Sequence, residues 1–359
     1  MSYGAYCKRS ATLSRQLTAR GVGYGTKCWS AEYRVEVVRT IRAASPVRRR
    51  SATRQVSAAS AASRNWKLSV GAQTHDQGIQ ANAFLPHDAS VNVGDTITWT
   101  VATGEFHTVT FLSGGPRPPF IAIGPNGPDL NPVAVTPAGG ATYGGSGYFN
   151  SGLLVQGQTY TLGFSHSGDF QYVCLVHSEM KGTLHVNSAG TPSRQTQALL
   201  DIEGRAEAAR LLGEGIGLEG RGLAAALRSG RDGVTAGIGK LIPGVATLAV
   251  VRFEPETRVV HVGDTVTWSN LDPEFPHTIT FGTEPSGGPF GAFAPSGVDA
   301  PGHATLTSPG QSVNSGFIGA DLPFGTQFRA TFTAPGTYSY ICALHDELGM
   351  MGTIQVVRR

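Results

Sequence analysis

Two sets of metal-ligating side chains recur along this 359-residue chain, each with two histidines, one cysteine and one methionine. The first set is His107, Cys174, His177 and Met180, and the second is His277, Cys342, His345 and Met350. In both sets the second histidine follows the cysteine by three positions, whereas the first histidine lies 67 or 65 positions before the cysteine. This spacing predicts one loop that carries three ligands and a separate strand end that carries the fourth.

The donor atoms indicate which metal such a site would bind. Magnesium and calcium prefer oxygen ligands, and no oxygen donor recurs in both sets. Zinc accepts imidazole and thiolate, but a thioether is a poor zinc ligand. Two imidazoles and a thiolate in one plane, with a distant axial methionine, are typical of a blue-copper electron-transfer site. The sequence therefore predicts two type 1 copper centres, each alternating between Cu(II) and Cu(I).

The two sets lie in two copies of an internal repeat. The first copy contains Val91-x-Val-Gly-Asp-Thr-Ile-Thr-Trp99, and the second contains Val260-x-Val-Gly-Asp-Thr-Val-Thr-Trp268. Tyr-Val-Cys-Leu-Val-His, which ends at His177, similarly matches Tyr-Ile-Cys-Ala-Leu-His, which ends at His345. The offset between the copies varies only from 168 to 170, so we expect two domains of one fold.

Each copy has the pattern of short strands in a β-sandwich. Apolar residues alternate along the chain, as at Val91, Val93, Ile97 and Trp99, and Val-Gly-Asp-Thr supplies a turn. High glycine and proline content, 48 and 21 residues, also favours turn-rich β structure. The predicted fold class is all-β, with two tandem Greek-key sandwich domains joined by a partly helical linker.

The expected organisation has four parts: a basic tail over 1–64, a first domain over 65–187, a linker over 188–244 and a second domain over 245–359. The linker is rich in Ala, Leu, Glu, Arg and Gly, which predicts one or two short helices weakened by glycine. Within the domains, residues 113–147 and 282–310 are long loops that could serve as lids or partner surfaces, or simply be mobile.

Charge separates the tail from the rest of the chain. Residues 1–64 carry 13 of the 28 lysines and arginines but only two of the 25 acidic residues. We expect this tail to be disordered or removed rather than to bind nucleic acid, although Arg48–Arg50 followed by small residues weakly resembles an export signal. Cys7 and Cys28 lie there, outside the repeat. The longest apolar run, near residues 242–251, is too short to span a bilayer, so no transmembrane segment is expected.

Both copies resemble the plastocyanin/azurin family of cupredoxins. The second copy, with Phe-Pro-His277-Thr-Ile and Cys342-Ala-Leu-His-Asp-Glu-Leu-Gly-Met350, looks plastocyanin-like. The first, with Cys174-Leu-Val-His-Ser-Glu-Met180, has a shorter loop and looks more like amicyanin. The resemblance covers about residues 65–187 and 245–357 and implies two non-identical copper centres.

The resemblance also implies how each site works. His177 and His345 would present an imidazole edge to solvent, and Leu175-Val176 and Ala343-Leu344 would form a docking patch around that edge. In the second copy both Met350 and Met351 lie within reach, and the spacing favours Met350. The family often has an asparagine after the first histidine, where it holds the cysteine loop, whereas this chain has Thr108 and Thr278.

The predicted function is one-electron transfer between redox partner proteins, such as a cytochrome, an oxidase or a dehydrogenase, without catalysis by this chain. Copper storage or delivery is an alternative. A two-domain multicopper oxidase or nitrite reductase is disfavoured, since the sequence contains no His-x-His or His-Cys-His pair. Cupredoxins usually work in the periplasm, outside the cell or at its surface, and we expect the same here although the signal is not convincing.

Overall fold

The computed structural model describes residues 63–124, 127–193, 195–230, 232–287 and 289–359. Almost all of the basic tail, including Cys7 and Cys28, lies outside the described residues. The described chain consists mainly of β-strands, with one long helix between the two repeats.

The first repeat contains strands β1 to β12 and a short helix α1. Their bounds are β1 Asn65–Gln73, β2 Ile79–Leu85, β3 Asp88–Asn92, β4 Thr96–Val101, β5 Thr110–Phe111, β6 Ile121–Gly124, β7 Gly127–Leu130, α1 Pro132–Val135, β8 Thr142–Tyr143, β9 Phe149–Asn150, β10 Thr159–Phe164, β11 Gly168–Val173 and β12 Lys181–Asn187. Strand β4 confirms the predicted alternation, because Ile97, Trp99 and Val101 are buried and the threonines between them are half-buried.

A long helix and the second repeat follow. Their bounds are α2 Gln197–Arg228, β13 Gly233–Ile242, β14 Ala246–Glu254, β15 Thr257–His261, β16 Thr265–Leu271, β17 Thr280–Phe281, β18 His303–Leu306, β19 Val313–Asn314, β20 Gln327–Phe332, β21 Gly336–Ile341 and β22 Met351–Val357. Short 3₁₀ turns lie at Pro289–Ala292 and Asp346–Leu348.

Three larger sheets build two sandwiches. A ten-stranded sheet runs through both repeats in the order β18-β20-β16-β13-β14-β2-β1-β4-β10-β8. Sheet β3-β12-β11-β5-β9 completes the first sandwich, and β15-β22-β21-β17-β19 completes the second. The repeats meet where β14 pairs antiparallel with β2. This architecture confirms the predicted all-β fold with two sandwich domains and a partly helical linker.

The segment predicted as a linker over 188–244 differs in detail. It contains one 32-residue helix, α2, instead of one or two short helices, and it also contains β13. Strand β13 pairs with β14 and β16, as β1 pairs with β2 and β4, so it is the counterpart of β1. The sequence similarity between the repeats is recognisable only after this strand, so the sequence alone does not predict it. We propose that the second domain starts near Gly233.

Helix α2 covers the strands on both sides of the junction between the sandwiches. Its buried Leu211 and Leu218 pack in one cluster with Ile79 of β2 and Leu248 of β14. A Cβ atom at Gly215 would overlap the side chain of Ile79. The glycines that weaken the helix by propensity thus permit its close approach to the sheet.

Candidate metal centres

Three of the predicted donors converge in the first sandwich: His107, Cys174 and His177. Sγ of Cys174 lies 3.9 Å from Nδ1 of His107 and 3.5 Å from Nδ1 of His177. The two imidazole centroids are 4.8 Å apart, and all three side chains are fully buried. Cys174 directly follows strand β11, and His107 precedes β5, so adjacent strands of one sheet deliver the thiol and the remote imidazole.

The second sandwich repeats this arrangement with His277, Cys342 and His345. Sγ of Cys342 lies 3.7 Å from Nδ1 of His277 and 3.4 Å from Nδ1 of His345. The imidazole centroids are again 4.8 Å apart. In both sets the Nδ1 atoms and the sulfur face one another, which leaves three donors pointed at a common space.

The methionines lie beside the cysteines. The backbone carbonyls of Met180 and Met350 accept hydrogen bonds from the amides of Cys174 and Cys342, at 2.9 and 3.0 Å. Both methionines are fully buried in the same apolar clusters as their cysteines, whereas Met351 is 40% exposed. The structure therefore buries Met350, rather than Met351, in the apolar cluster that contains Cys342.

A threonine after the first histidine ties each cysteine loop to the sandwich. The amide of Thr108 donates to Sγ of Cys174 at 3.4 Å, and its Oγ1 accepts from the amide of Leu175 at 2.8 Å. Thr278 makes the same two contacts, at the same distances, with Cys342 and the alanine that follows it. Threonine thus holds the cysteine loop at the position where the family often has asparagine.

Burial determines the protonation of the donors. It lowers the pKa of His107 and His345 to about 3, and it takes the pKa of the other two histidines well below the usual value. The imidazoles are therefore neutral and able to bind a metal. Burial raises the pKa of both thiols, that of Cys342 to about 11, so a metal must displace the thiol proton when it binds.

The expectation of solvent-exposed imidazole edges is wrong. His177 is fully buried and His345 is only 3% exposed. The expected docking patch is covered as well, because Leu175, Ala343 and Leu344 are buried. The physical reason is the packing of the two sandwiches, in which each one covers the ligand loop of the other.

Equivalent positions of the two repeats make this cover. Phe275, two residues before the first histidine of the second set, contacts His177 with ring centroids 5.3 Å apart. Glu105, at the same place in the first repeat, has Oε1 3.8 Å from Nε2 of His345. Equivalent positions therefore make both contacts, but one repeat supplies an aromatic ring and the other a carboxyl group.

Hydrogen bonds also tie the first ligand loop to the second sandwich. The carboxylate of Glu274 accepts from the amide of Ser178 and from the hydroxyl of Thr247. Glu179 accepts from the amide of Gly244 at 2.6 Å, which helps to hold its pKa below the usual range. The two metal centres are therefore parts of one packed interface.

Comparison with known proteins agrees with this geometry. Residues 72–187 and 244–357 match the sequence model of one protein family, which is described as copper binding proteins, plastocyanin/azurin family. The chain belongs to the plastocyanin/azurin family. Both repeats are cupredoxin domains, and their His-Cys-His sites fit two copper ions, one in each domain.

Several plastocyanins are similar to part of this cupredoxin. The plastocyanin of Scenedesmus fuscus is 36% identical over 105 residues, which cover 29% of this chain and 85% of that protein. A Synechococcus plastocyanin is 32% identical over 108 residues, or 30% of this chain and 65% of that protein. The chloroplastic plastocyanin of Hordeum vulgare is 31% identical over 110 residues, or 56% of its length.

Solved structures of the same kind are also similar to one part of the chain. An oxidised amicyanin mutant has 18% identity and a TM-score of 0.22, covering 34% of this chain and 82% of its own. The oxidised plastocyanin of the fern Dryopteris crassirhizoma has 21% identity and a TM-score of 0.21, covering 35% and 99%. Among the described residues of this cupredoxin, no helix is long and apolar enough to cross a membrane.

The sequence did not reveal three side chains that surround the copper-binding loops. Arg117, from the long loop of the first domain, donates hydrogen bonds to the backbone carbonyls of Cys174, His177 and Ser178. Phe275 and Glu105 lie two positions before the first histidines, a placement visible in the repeat. Their role was hidden because it depends on how the domains pack.

A buried carboxyl group shapes the loop that presents Phe275. Oδ1 of Asp272 accepts hydrogen bonds from the amides of Glu274 and Phe275, both at 2.9 Å. Burial raises the pKa of Asp272 to about 7, and these hydrogen bonds oppose the shift. Burial and the nearby charge of Asp272 also raise the pKa of Glu105 to about 7.

We expect Asp272 to contribute less stability to the copper-free protein as the pH rises toward about 7, a contribution opposite in sign to that of the four buried imidazoles. A carboxyl group whose pKa is higher in the folded state stabilises that state fully below its unfolded value of 3.8, and the contribution disappears above the folded value. Between these values one group changes the unfolding free energy by at most about 1.4 kcal/mol per pH unit. Denaturant titrations of the parent and of Asp272→Asn, which keeps the Oδ1 acceptor, from pH 4 to 8 isolate this contribution. The unfolding free energy of the variant minus that of the parent should rise with pH up to about 7, and a difference that does not change with pH would contradict the assignment.

Proposed function

We propose that this protein carries single electrons between redox partners and holds one type 1 copper in each domain. The proposed ligands of the first copper are His107, Cys174, His177 and Met180. Those of the second are His277, Cys342, His345 and Met350. Donor chemistry supports all four ligands of each set, and the imidazole nitrogens and the thiol sulfur of each set also lie close together.

The observation that carries the proposal is the repetition of one buried donor geometry. The two sulfur-to-Nδ1 distances are 3.9 and 3.5 Å in the first domain, and 3.7 and 3.4 Å in the second. Bound copper supplies one-electron chemistry. The protein contributes thiolate and imidazole donors held by threonine hydrogen bonds and dense packing, so the ligands need to move little when the charge of the site changes.

This packing favours electron transfer over the rival functions. Storage or delivery needs metal to exchange readily, whereas the six imidazole and thiol side chains are at most 3% exposed. An oxidase of the multicopper type needs a further metal site. Among the described residues, the only groups of three or more His, Cys, Asp or Glu side chains placed to hold a metal are these two.

The partners belong to the proposal as well. An external reductant and an external oxidant would be redox proteins, such as a cytochrome, an oxidase or a dehydrogenase. Three of the similar plastocyanins carry the word chloroplastic in their names. For this chain we propose a location outside the cytoplasm, in the periplasm, outside the cell or at its surface.

Copper titration of the metal-free protein tests the function. We expect two copper ions to bind per chain and to give the intense blue absorption of a copper–thiolate bond, which disappears on one-electron reduction of each site. The reduced protein should keep its copper against a Cu(I) chelator because the donors are buried. A colourless two-copper complex, or rapid loss of Cu(I) to the chelator, would overturn electron transfer in favour of storage or delivery.

A further inference from the structure

An aromatic side chain bridges the two copper-binding sites. Phe275 lies between the second-site and first-site imidazoles, with its ring centroid 5.3 Å from that of His177 and 6.0 Å from that of His345. Within each site the two imidazole centroids are 4.8 Å apart. A continuous series of rings therefore runs from one site to the other through a single residue.

Hydrogen bonds of the surrounding loop hold the backbone that carries this ring. The amide of Phe275 donates to Oδ1 of Asp272, and its carbonyl accepts from Nδ2 of Asn270 at 2.8 Å. Nδ2 of Asn270 also donates to the carbonyl of Ile318, so the loop is attached to the body of the second domain. Phe275 is 8% exposed, so its ring is shielded from bulk solvent.

The charges next to the two ligand loops differ. Arg117 donates to the carbonyls of Cys174, His177 and Ser178, at 2.5, 2.9 and 2.7 Å. No comparable lysine or arginine bonds to the carbonyls of Cys342 or His345 within the described part of the chain. His345 is instead contacted by the ring of Phe275 and by the carboxyl group of Glu105.

We propose that electrons pass inside the protein from the second site to the first through Phe275, and that Arg117 sets this direction. The inference rests on the proposed function, because both sites must bind redox-active copper. A cation beside the first site stabilises its reduced state, which carries one positive charge less than the oxidised state. The first site therefore has the higher reduction potential and accepts the electron.

The transfer is balanced without a further reactant. One electron leaves the reduced second site and enters the oxidised first site, no bond forms or breaks, and no proton moves. His345 and His177 are the points of departure and arrival, and the ring between them shortens the gap that the electron must tunnel across. An external reductant then supplies the second site, and an external oxidant withdraws from the first.

Single-site proteins test the direction. Cys342→Ala leaves only the first site, Cys174→Ala leaves only the second, and spectroelectrochemistry of the copper-loaded variants gives each potential alone. We expect the first site to have the higher potential. Arg117→Gln, introduced into the Cys342→Ala variant, should lower the reduction potential of the first site. In the two-copper protein this shift moves the electron equilibrium about tenfold toward the second site. The same change should leave the potential of the second site nearly unaltered. Equal or reversed potentials, or no effect of Arg117→Gln, would overturn the direction.

Kinetics of the intact two-copper protein test the path. A reducing pulse that delivers less than one electron per chain should be followed by a redistribution between the sites whose rate does not depend on protein concentration. Visible circular dichroism follows it, with the single-site variants as reference spectra. Phe275→Leu should slow this phase several-fold without changing either potential. Phe332→Leu, a buried phenylalanine that packs on Phe281 and Tyr338, is the matched control and should not slow it.

The outcomes separate this inference from the proposed function. If the single-site variants bind copper and are reduced reversibly but no concentration-independent phase occurs, or Phe275→Leu leaves it unchanged, the internal path is wrong and the electron-transfer function stands. If neither single-site variant gives a reducible copper–thiolate centre, the proposed function fails first.

Discussion

Cys342→Ala is expected to remove the second copper centre completely and to leave the first intact. The blue absorption requires a thiolate bonded to copper, and alanine has no donor atom. The variant should therefore bind one copper with high affinity and keep about half of the blue absorption of the parent protein. Cys174→Ala should do the reverse, and the double variant should be colourless. Copper analysis and visible spectroscopy of the purified proteins measure both quantities.

The cysteines outside the repeats provide the control. Cys28→Ala changes a thiol of the basic tail, which has no counterpart in the repeat, and should leave the copper content and the colour unchanged. Retention of full blue absorption by Cys342→Ala would contradict the ligand assignment. Loss of both centres in one single variant would mean that the sites do not fold or load independently.

Gly237→Ala is expected to damage the second site through the backbone that supports it. Gly237 lies at an irregular position of strand β13 with φ at +79°, and a Cβ atom there would overlap the imidazole of His277. The left-handed backbone costs a non-glycine residue about 1–2 kcal/mol, and overpacking adds about 1–3 kcal/mol. We expect lower stability and weak or absent copper at the second site, with the first site preserved.

Gly263→Ala separates strain from overlap. Gly263 has a similar φ of +93°, but a Cβ atom there would meet nothing within 4 Å. The control should therefore lose only the conformational contribution to the unfolding free energy and retain both copper centres. If both variants lower stability equally and keep two blue coppers, the close contact between Gly237 and His277 does not position the ligand.

Burial of both imidazole edges changes how this cupredoxin is expected to meet its partners. In the sequence-based hypothesis, each domain docks a redox protein at an exposed histidine. In the structure, His177 and His345 face the other domain, and Arg117 covers the first ligand loop from the long loop of its own domain. Each imidazole edge thus contacts the other domain and is shielded from an external protein.

Much of the site is already determined by local sequence. Cys-x₂-His followed by methionine places three donor types on one loop, and the preceding alternation at Tyr340 and Tyr338 predicts the strand that delivers it. The remote His107 and His277 are recognisable because the chain supplies two copies of the same pattern. Repetition also predicts a common fold, since one sequence pattern with period-2 alternation buries one face in both copies.

The helix and the strand between the two repeats are harder to predict from sequence. Strand β13 reads Gly-Val-Thr-Ala-Gly-Ile-Gly-Lys-Leu-Ile, with three glycines that lower strand propensity, and it is stabilised by pairing with β14 and β16. Helix α2 contains glycines that weaken a helix in isolation, and contact with Ile79 and Ile238 explains why they are tolerated. In both cases partners distant in sequence outweigh local preference.

By itself the sequence determined the two donor sets, the metal that suits them and the duplicated β-sandwich, because these follow from residue types, spacing and period. Only the tertiary structure decided what surrounds the donors. The pairing of β2 with β14 sets one domain against the other, and this packing brings Phe275 to His177 and Glu105 to His345. No local pattern encodes such contacts, since they arise from surfaces that meet only when both domains are folded.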